Sequence, residues 1–171
     1  DEDDEVIGMI CVPKTDVNKQ ILVVSEKGLG KRTPFLIEAS DEEKKEDPHN
    51  LVTINDADGA EHDYLLSYRI TNRGGKGVKT INVTEKTGAL VGLLLVEETD
   101  DMMITCESGI TIRMKVSSIR EAGRATQGVK LINLDDGDSI AAIASIKEQE
   151  DADQEDHSED GEAAEEQQTE E

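Results

Sequence analysis

The sequence predicts an all-β repeat protein, with four short antiparallel strands in each unit. Three observations carry that prediction. A phrase recurs along the chain, apolar residues come in runs of four to seven, and the runs are bounded by Gly, Asp and Asn. The phrase is Arg-x-x-x-Gly-Val-Lys-x-Ile-Asn, found as NRGGKGVKTIN at residues 72–82 and GRATQGVKLIN at 123–133.

Three further correspondences turn the phrase into a register. VIGMICV (6–12) matches LVGLLLV (90–96), with Gly8 over Gly92. ILVVSEKGLGKRTPF (21–35) matches MMITCESGITIRMKV (102–116), with Gly28 over Gly109 and Arg32 over Arg113. SYRITNRGGKG (67–77) matches SIREAGRATQG (118–128). The offset steps from 84 to 81 to 51. The first step is a longer loop at 13–20, and the second is an insertion at about 37–66. A third unit opens at SIAAIASI, 139–146.

Each element then follows in order. Unit one has strands at 6–12, 21–25, 29–35 and 78–83, and unit two at 90–96, 102–106, 110–115 and 129–134. Glu26-Lys27-Gly28 and Glu107-Ser108-Gly109 are hairpin turns in which Gly supplies the positive φ. Four short strands per repeat is the arithmetic of a propeller-like blade, which cannot bury both faces alone. The organisation expected is blade one at 1–88, blade two at 89–138, a strand of a further or closing blade at 139–146 and a disordered acidic tail at 147–171. The insertion reads as a solvated loop with room for a short hairpin at 51–56 and 64–66. The opening on Asp1, without Met, is expected of a piece of a longer polypeptide.

The net charge of −22 suggests disorder or a nucleic-acid mimic until it is placed along the chain. Residues 147–171 carry a net −12, residues 1–5 a net −5 and the insertion a net −8. The repeats proper are left at +3. With no Trp, two Tyr and one Phe, their core must be built from Ile, Val, Leu and Met. No apolar run approaches the ~18 residues of a membrane span, and no signal peptide opens the chain. A cytoplasmic location follows as the expectation.

Catalytic chemistry finds no purchase. His49, His62 and His157 lie in the insertion and the tail. Gly28 to Thr33, GLGKRT, lacks the spacing of a phosphate loop and is followed by a strand. Cys11 and Cys106 have no metal-ligand spacing and read as small buried hydrophobes in a reducing compartment. We expect no catalytic residue, no metal ligand and no cofactor in this chain.

The basic residues behave differently, because many recur: Arg32 with Arg113, Arg69 with Arg120, Arg73 with Arg124 and Lys79 with Lys130. Lys31, Lys76 and Lys115 fall in the same regions. Taken singly, each is an ordinary surface charge. Taken as repeats, they form a basic rim with Gly-rich straps, suited to a phosphate backbone. The lack of interleaved aromatics favours duplex DNA bound by shape over single strands bound by stacking.

These motifs, GLGKRT, YRITNRGGKGVKTINVTEKTGALVG and DDMMITCESGITIRMKVSSIREAGRATQGVKLINLDDGD, closely resemble the last two blades of the C-terminal domain of the bacterial DNA gyrase A subunit. The resemblance covers about residues 5–146 without the insertion, and the acidic tail fits it too. It implies a β-pinwheel around whose basic perimeter double-stranded DNA is wrapped. It also implies a holoenzyme of two A and two B subunits that uses ATP and Mg2+ for negative supercoiling, in the bacterial cytoplasm at the nucleoid. The family's Gln-Arg-Arg-Gly-Gly-Lys-Gly box is incomplete: Thr71-Asn72-Arg73-Gly74-Gly75-Lys76-Gly77 keeps the last five residues and lacks Gln-Arg. That leaves open the similar domain of the topoisomerase IV A subunit, and, from another class, a protein-interaction propeller with acidic arms.

The tail supplies the first test. A tethered −12 segment beside a basic rim competes with DNA at high effective concentration. Truncation after residue 146 should tighten duplex binding at low salt in a titration; equal affinity with and without the tail would remove the tail from the picture.

Overall fold

The computed structural model describes residues 4–147, so the tail expected to be disordered lies outside the described residues except for Lys147. The strands are β1 (Gln20–Ser25), β2 (Leu29–Pro34), β3 (Leu36–Glu38), β4 (Leu51–Asn55), β5 (Glu61–Leu66), β6 (Leu90–Val96), β7 (Asp101–Cys106), β8 (Thr111–Lys115), β9 (Val129–Lys130) and β10 (Ile140–Ile146). Among the described residues, one short α-helix, α1 (Asp41–Glu46), and single 3-10 turns at Pro48–Asn50 and Val116–Ser118 interrupt them. The described strands form one four-stranded and two three-stranded sheets, ordered β6-β1-β2-β9, β10-β7-β8 and β3-β5-β4. Every paired strand is antiparallel to its neighbour.

The sheets are out of step with the sequence repeats. Hairpin β1–β2 belongs to unit one, yet both strands that flank it, β6 and β9, come from unit two. Hairpin β7–β8 of unit two is flanked on its β7 side by β10, the opening strand of the third unit. Each unit thus lends its first strand to the hairpin of the unit before it.

Side-chain alternation explains why. In β1, Leu22 and Val24 face one way and are fully buried with Val96, Met102, Ile104, Val116, Ile119 and Ile140. Ile21 and Val23 face the other way and are buried with Ile81. A strand buried on both faces cannot stand at an edge, and it takes a partner on each side. In β7, Met102, Ile104 and Cys106 alternate inward, the period of a strand covered on one face. Burying each Leu, Ile, Val or Met side chain contributes about 1.5–3 kcal/mol, which makes this inter-sheet cluster the main source of stability.

Two strands expected from the sequence are absent. Residues 6–12 and 78–83 are not in any sheet. Their counterparts are β6 and the stretch 129–134 that contains β9, which become strands by joining the hairpin of a preceding unit. Among the described residues, no such hairpin is there for 6–12 and 78–83 to join. Val6 and Met9 accordingly stand 94% and 87% exposed. Cys11, on the same segment, is exposed, against the expectation of burial, whereas Cys106 is a buried free thiol. The fourth strand of unit two shrinks from 129–134 to the two residues of β9, because its partner gives out: Leu131 N–H still donates to Gly28 O at 2.8 Å, but the Gly28 N–H is taken by Ser25 O in the hairpin turn.

The insertion is more ordered than a solvated loop. Ser40 caps α1 in a capping box with Glu43, and the acids of the first turn and lysines of the last complement the helix dipole. Hairpin β4–β5 follows, and β3 adds to the free side of β5. Asn50 Oδ1 accepts the Ile70 N–H at 2.9 Å and ties the insertion to the connector of unit one.

Unit two meets β2 at one very close approach. Gly128 has φ +79°, and a Cβ there would lie 2.5 Å from Gly30 O. Gly128→Ala should therefore cost about 1–3 kcal/mol, from backbone strain and collision together. Gly123→Ala, five residues upstream with open space at its Cα, should be near neutral. Urea unfolding of the two variants checks the contrast.

Candidate nucleic-acid interface

The connector of unit two, residues 118–128, is held against β2 by a dense set of bonds. Arg32 N–H donates to Arg120 O at 3.3 Å, and Ala122 N–H donates to Arg32 O at 2.9 Å. A parallel bridge joins Arg32 to Glu121. Alternation then puts Lys31 and Thr33 on one face of β2 and Arg32 on the other. Lys31 Nζ donates to Arg124 O at 2.6 Å and also to Gly123 O. Thr33 Oγ1 donates to Ala122 O at 2.8 Å. Arg32 Nε donates to Ile119 O at 2.7 Å, while its other nitrogens reach Gln20 Oε1 and Glu98 Oε1, both at 2.9 Å.

The consequence is electrostatic. The carbonyls of Ile119, Arg120, Ala122, Gly123 and Arg124 are all bonded to β2, so their negative ends are not free to repel an anion. The side chains of Arg120 and Arg124 are exposed. A buried layer of cations thus supports an outer layer of cations.

That layering corrects two sequence-based assignments. Lys31 is fully buried and Arg32 is 8% exposed, so neither stands on the surface expected of them. They position the connector instead. Their repetition was only partial: Arg32 has a counterpart in Arg113, but the position equivalent to Lys31 is Ile112. Burial pushes the Lys31 amine down to about 8, and the nearby Arg124 charge adds to the effect.

The other nine candidates, Arg69, Arg73, Lys76, Lys79, Arg113, Lys115, Arg120, Arg124 and Lys130, are all exposed. Arg69, Arg73, Lys76 and Lys79 sit on the connector and strap of unit one, which Tyr68 closes by a 2.5 Å contact with Thr80 Oγ1. Arg113 and Lys115 share a shallow cleft of about 230 Å³ with Asp101. Asp101 holds the Arg113 guanidinium by contacts of 2.5 and 2.6 Å. Lys130 lines a cleft of about 710 Å³ between the units, together with Lys27 and Lys86 and with the carboxylates of Glu26, Glu107, Asp135, Asp136 and Asp138. Sequence reasoning missed those two lysines because they lie in turns and the repeat does not copy Lys27, whose counterpart is Ser108. Among the described residues no group of His, Cys, Asp or Glu converges as a metal site.

The profile described as DNA gyrase C-terminal domain, beta-propeller, matches residues 19–35, 66–97 and 100–147, more than half of the chain. The chain belongs to that family. The gyrase C-terminal domain profile leaves out residues 36–65, which are the insertion. The DNA gyrase A subunit of Staphylococcus aureus strain MRSA252 is 38% identical over 164 residues, covering 94% of this chain and 15% of that protein. Its counterpart in strain NCTC 8325 is 37% identical over 147 residues, covering 86% of this chain and 13% of that protein. The chain therefore spans less than a sixth of the length of these relatives. Among solved structures, the C-terminal domain of DNA topoisomerase IV superposes with a TM-score of 0.60 at 21% identity, over 86% of this chain and 36% of that one. The DNA gyrase A C-terminal domain superposes at 0.51 and 20% identity, over 75% and 33%. At those identities the structural matches show the gyrase-type pinwheel fold alone.

The Lys31 clip has a pH signature. Its folded pKa of about 8 lies below the ordinary 10.5, so the folded state gives up a proton that the unfolded state keeps between those values. Stability contributed at this position should rise with pH through that window and stay level below it. The difference in unfolding free energy between the parent chain and Lys31→Met, measured in urea at several pH values, should grow between pH 8 and 10.5. A constant difference would contradict the assignment.

Proposed function

We propose that this chain is a DNA-binding and DNA-wrapping module of a gyrase. It bends duplex DNA along its basic connectors to support ATP-dependent negative supercoiling. The observation that carries the reading is the unit-two connector, with its carbonyls bonded to β2 and Arg120 and Arg124 exposed. Family membership supports it, since the relatives matched by sequence are gyrase A subunits.

In this reading Arg69, Arg73, Lys76, Lys79, Arg113, Lys115, Arg120, Arg124 and Lys130 meet phosphates, with Lys31 and Arg32 holding the strap from beneath. Contacts of that kind carry no sequence code, and specificity comes from how easily the duplex bends. The chain works as part of a longer gyrase A polypeptide, in an assembly of two A and two B subunits in the bacterial cytoplasm. ATP and Mg2+ serve that assembly from other domains. No described helix is long and apolar enough to cross a membrane.

Phosphate binding of this kind is salt-dependent. With ~6–10 phosphate contacts, affinity for linear duplex DNA should fall by ~10³–10⁵ between about 50 and 200 mM salt. Replacing Arg120 and Arg124 together by Ala should weaken binding and reduce the log–log salt slope by about 2. A flat response to salt in the parent chain would overturn the proposal.

A further inference from the structure

We infer that the insertion at 37–66 is an electrostatic guard on the unit-two connector: it holds Glu43 and Asp47 against the phosphate path at Arg124. The inference rests on the DNA-binding reading above.

The first support is geometric. One cleft of about 290 Å³ is lined by Glu43 and Asp47, from α1 and the turn that ends it, and by Gly123 and Arg124 of the connector, together with Leu66 and Ser67. A phosphate seated on Arg124 from the cleft enters the same space as the two carboxylates.

The second support is that the insertion is fixed in place. Ser67 N–H donates to Phe35 O at 2.9 Å and Ser67 Oγ donates to Pro34 O at 2.6 Å, closing the root of the insertion. Lys44 Nζ reaches Asp63 at 3.1 Å and pins α1 onto β5. Asn50 Nδ2 donates to Asp47 Oδ2 at 2.8 Å, and the same Asn50 binds the Ile70 N–H. The carboxylates are therefore held at the cleft by bonded structure.

The third support is the direction of charge. The insertion has two lysines against ten acids, and Lys44 spends its charge within the insertion, on Asp63 and Asp41. Glu42, Glu43, Glu46 and Asp47 remain exposed. Ser40 holds the Glu43 carboxyl below its ordinary range through its hydroxyl and its backbone N–H, so Glu43 is ionised at neutral pH. Arg124 has no ion pair among the described residues. Its charge is available, and the guard weakens its field within a Debye length of ~10 Å at 0.1 M salt. A duplex crossing the connector is thereby biased to the side of Arg124 away from α1.

The test is a double-mutant cycle in the full chain, read by titration of a linear duplex of about 40 base pairs at about 50 and 200 mM salt. Glu43→Gln with Asp47→Asn keeps the capping box and the Asn50 acceptor while removing both charges. The pair should bind about three- to tenfold more tightly at the lower salt and lose most of that gain at the higher salt. In an Arg124→Ala background the gain should vanish. Parent-level affinity in the charge-neutral pair, or a gain that survives Arg124→Ala, overturns the guard and leaves the DNA reading standing. Absence of duplex binding by every variant overturns the DNA reading and the guard with it.

Discussion

The structure depends on one constraint: hairpin β1–β2 has no edge of its own that can be left open. Leu22 and Val24 are buried on one face of β1 and Ile21 and Val23 on the other, so β1 must be paired and covered throughout. Unit two supplies the missing parts. β6 pairs along β1, β9 pairs with β2, and the connector between them is drawn onto the outside of β2. The position of the connector is thus fixed by the need to bury a strand belonging to the preceding unit.

That arrangement also settles how charge is layered. Three consecutive polar residues of β2, Lys31, Arg32 and Thr33, are almost wholly buried, which is unusual for a lysine and an arginine. They are tolerated because each finds carbonyl partners on the connector, and Arg32 adds Glu98 at 2.9 Å. Buried donors left without those carbonyls would be strongly destabilising. The connector cannot lift off β2 without exposing that penalty. Its outer cations are consequently presented on a rigid base.

Much of this was legible in the sequence. The repeat register located the β1–β2 and β7–β8 hairpins, because Gly28 and Gly109 mark the turns and the flanking runs are apolar. The opening strands β6 and β10 were legible as well. The exchange of strands between units was not, because strand pairing between distant segments leaves no local signal. For the same reason 6–12 and 78–83 read as strands: their composition is that of β6 and β9, and only the partner hairpin is missing from the described residues. At the interface, repetition picked out exposed cations such as Arg120 and Arg124. It could not distinguish them from Arg32, because burial of Arg32 and of its neighbour Lys31 comes from the unit-two connector folding over β2, a contact between distant segments. The insertion was legible as acidic and as having room for the hairpin that β4 and β5 form, but not as containing a helix, although Ser40 and Glu43 stand at capping-box spacing.

Strand exchange has a further consequence for how the chain is made. β1 begins at residue 20, while its partner β6 ends at Val96 and the β9 strand that completes the sheet ends at Lys130. As the polypeptide emerges, the open edge of ILVVS waits about 70 residues for the end of β6, and the sheet is complete only once β9 has been made. Such non-local pairing makes folding slow and leaves an apolar edge open to intermolecular association in the meantime. Assembly is therefore retrospective: each unit matures only when its successor has been synthesised.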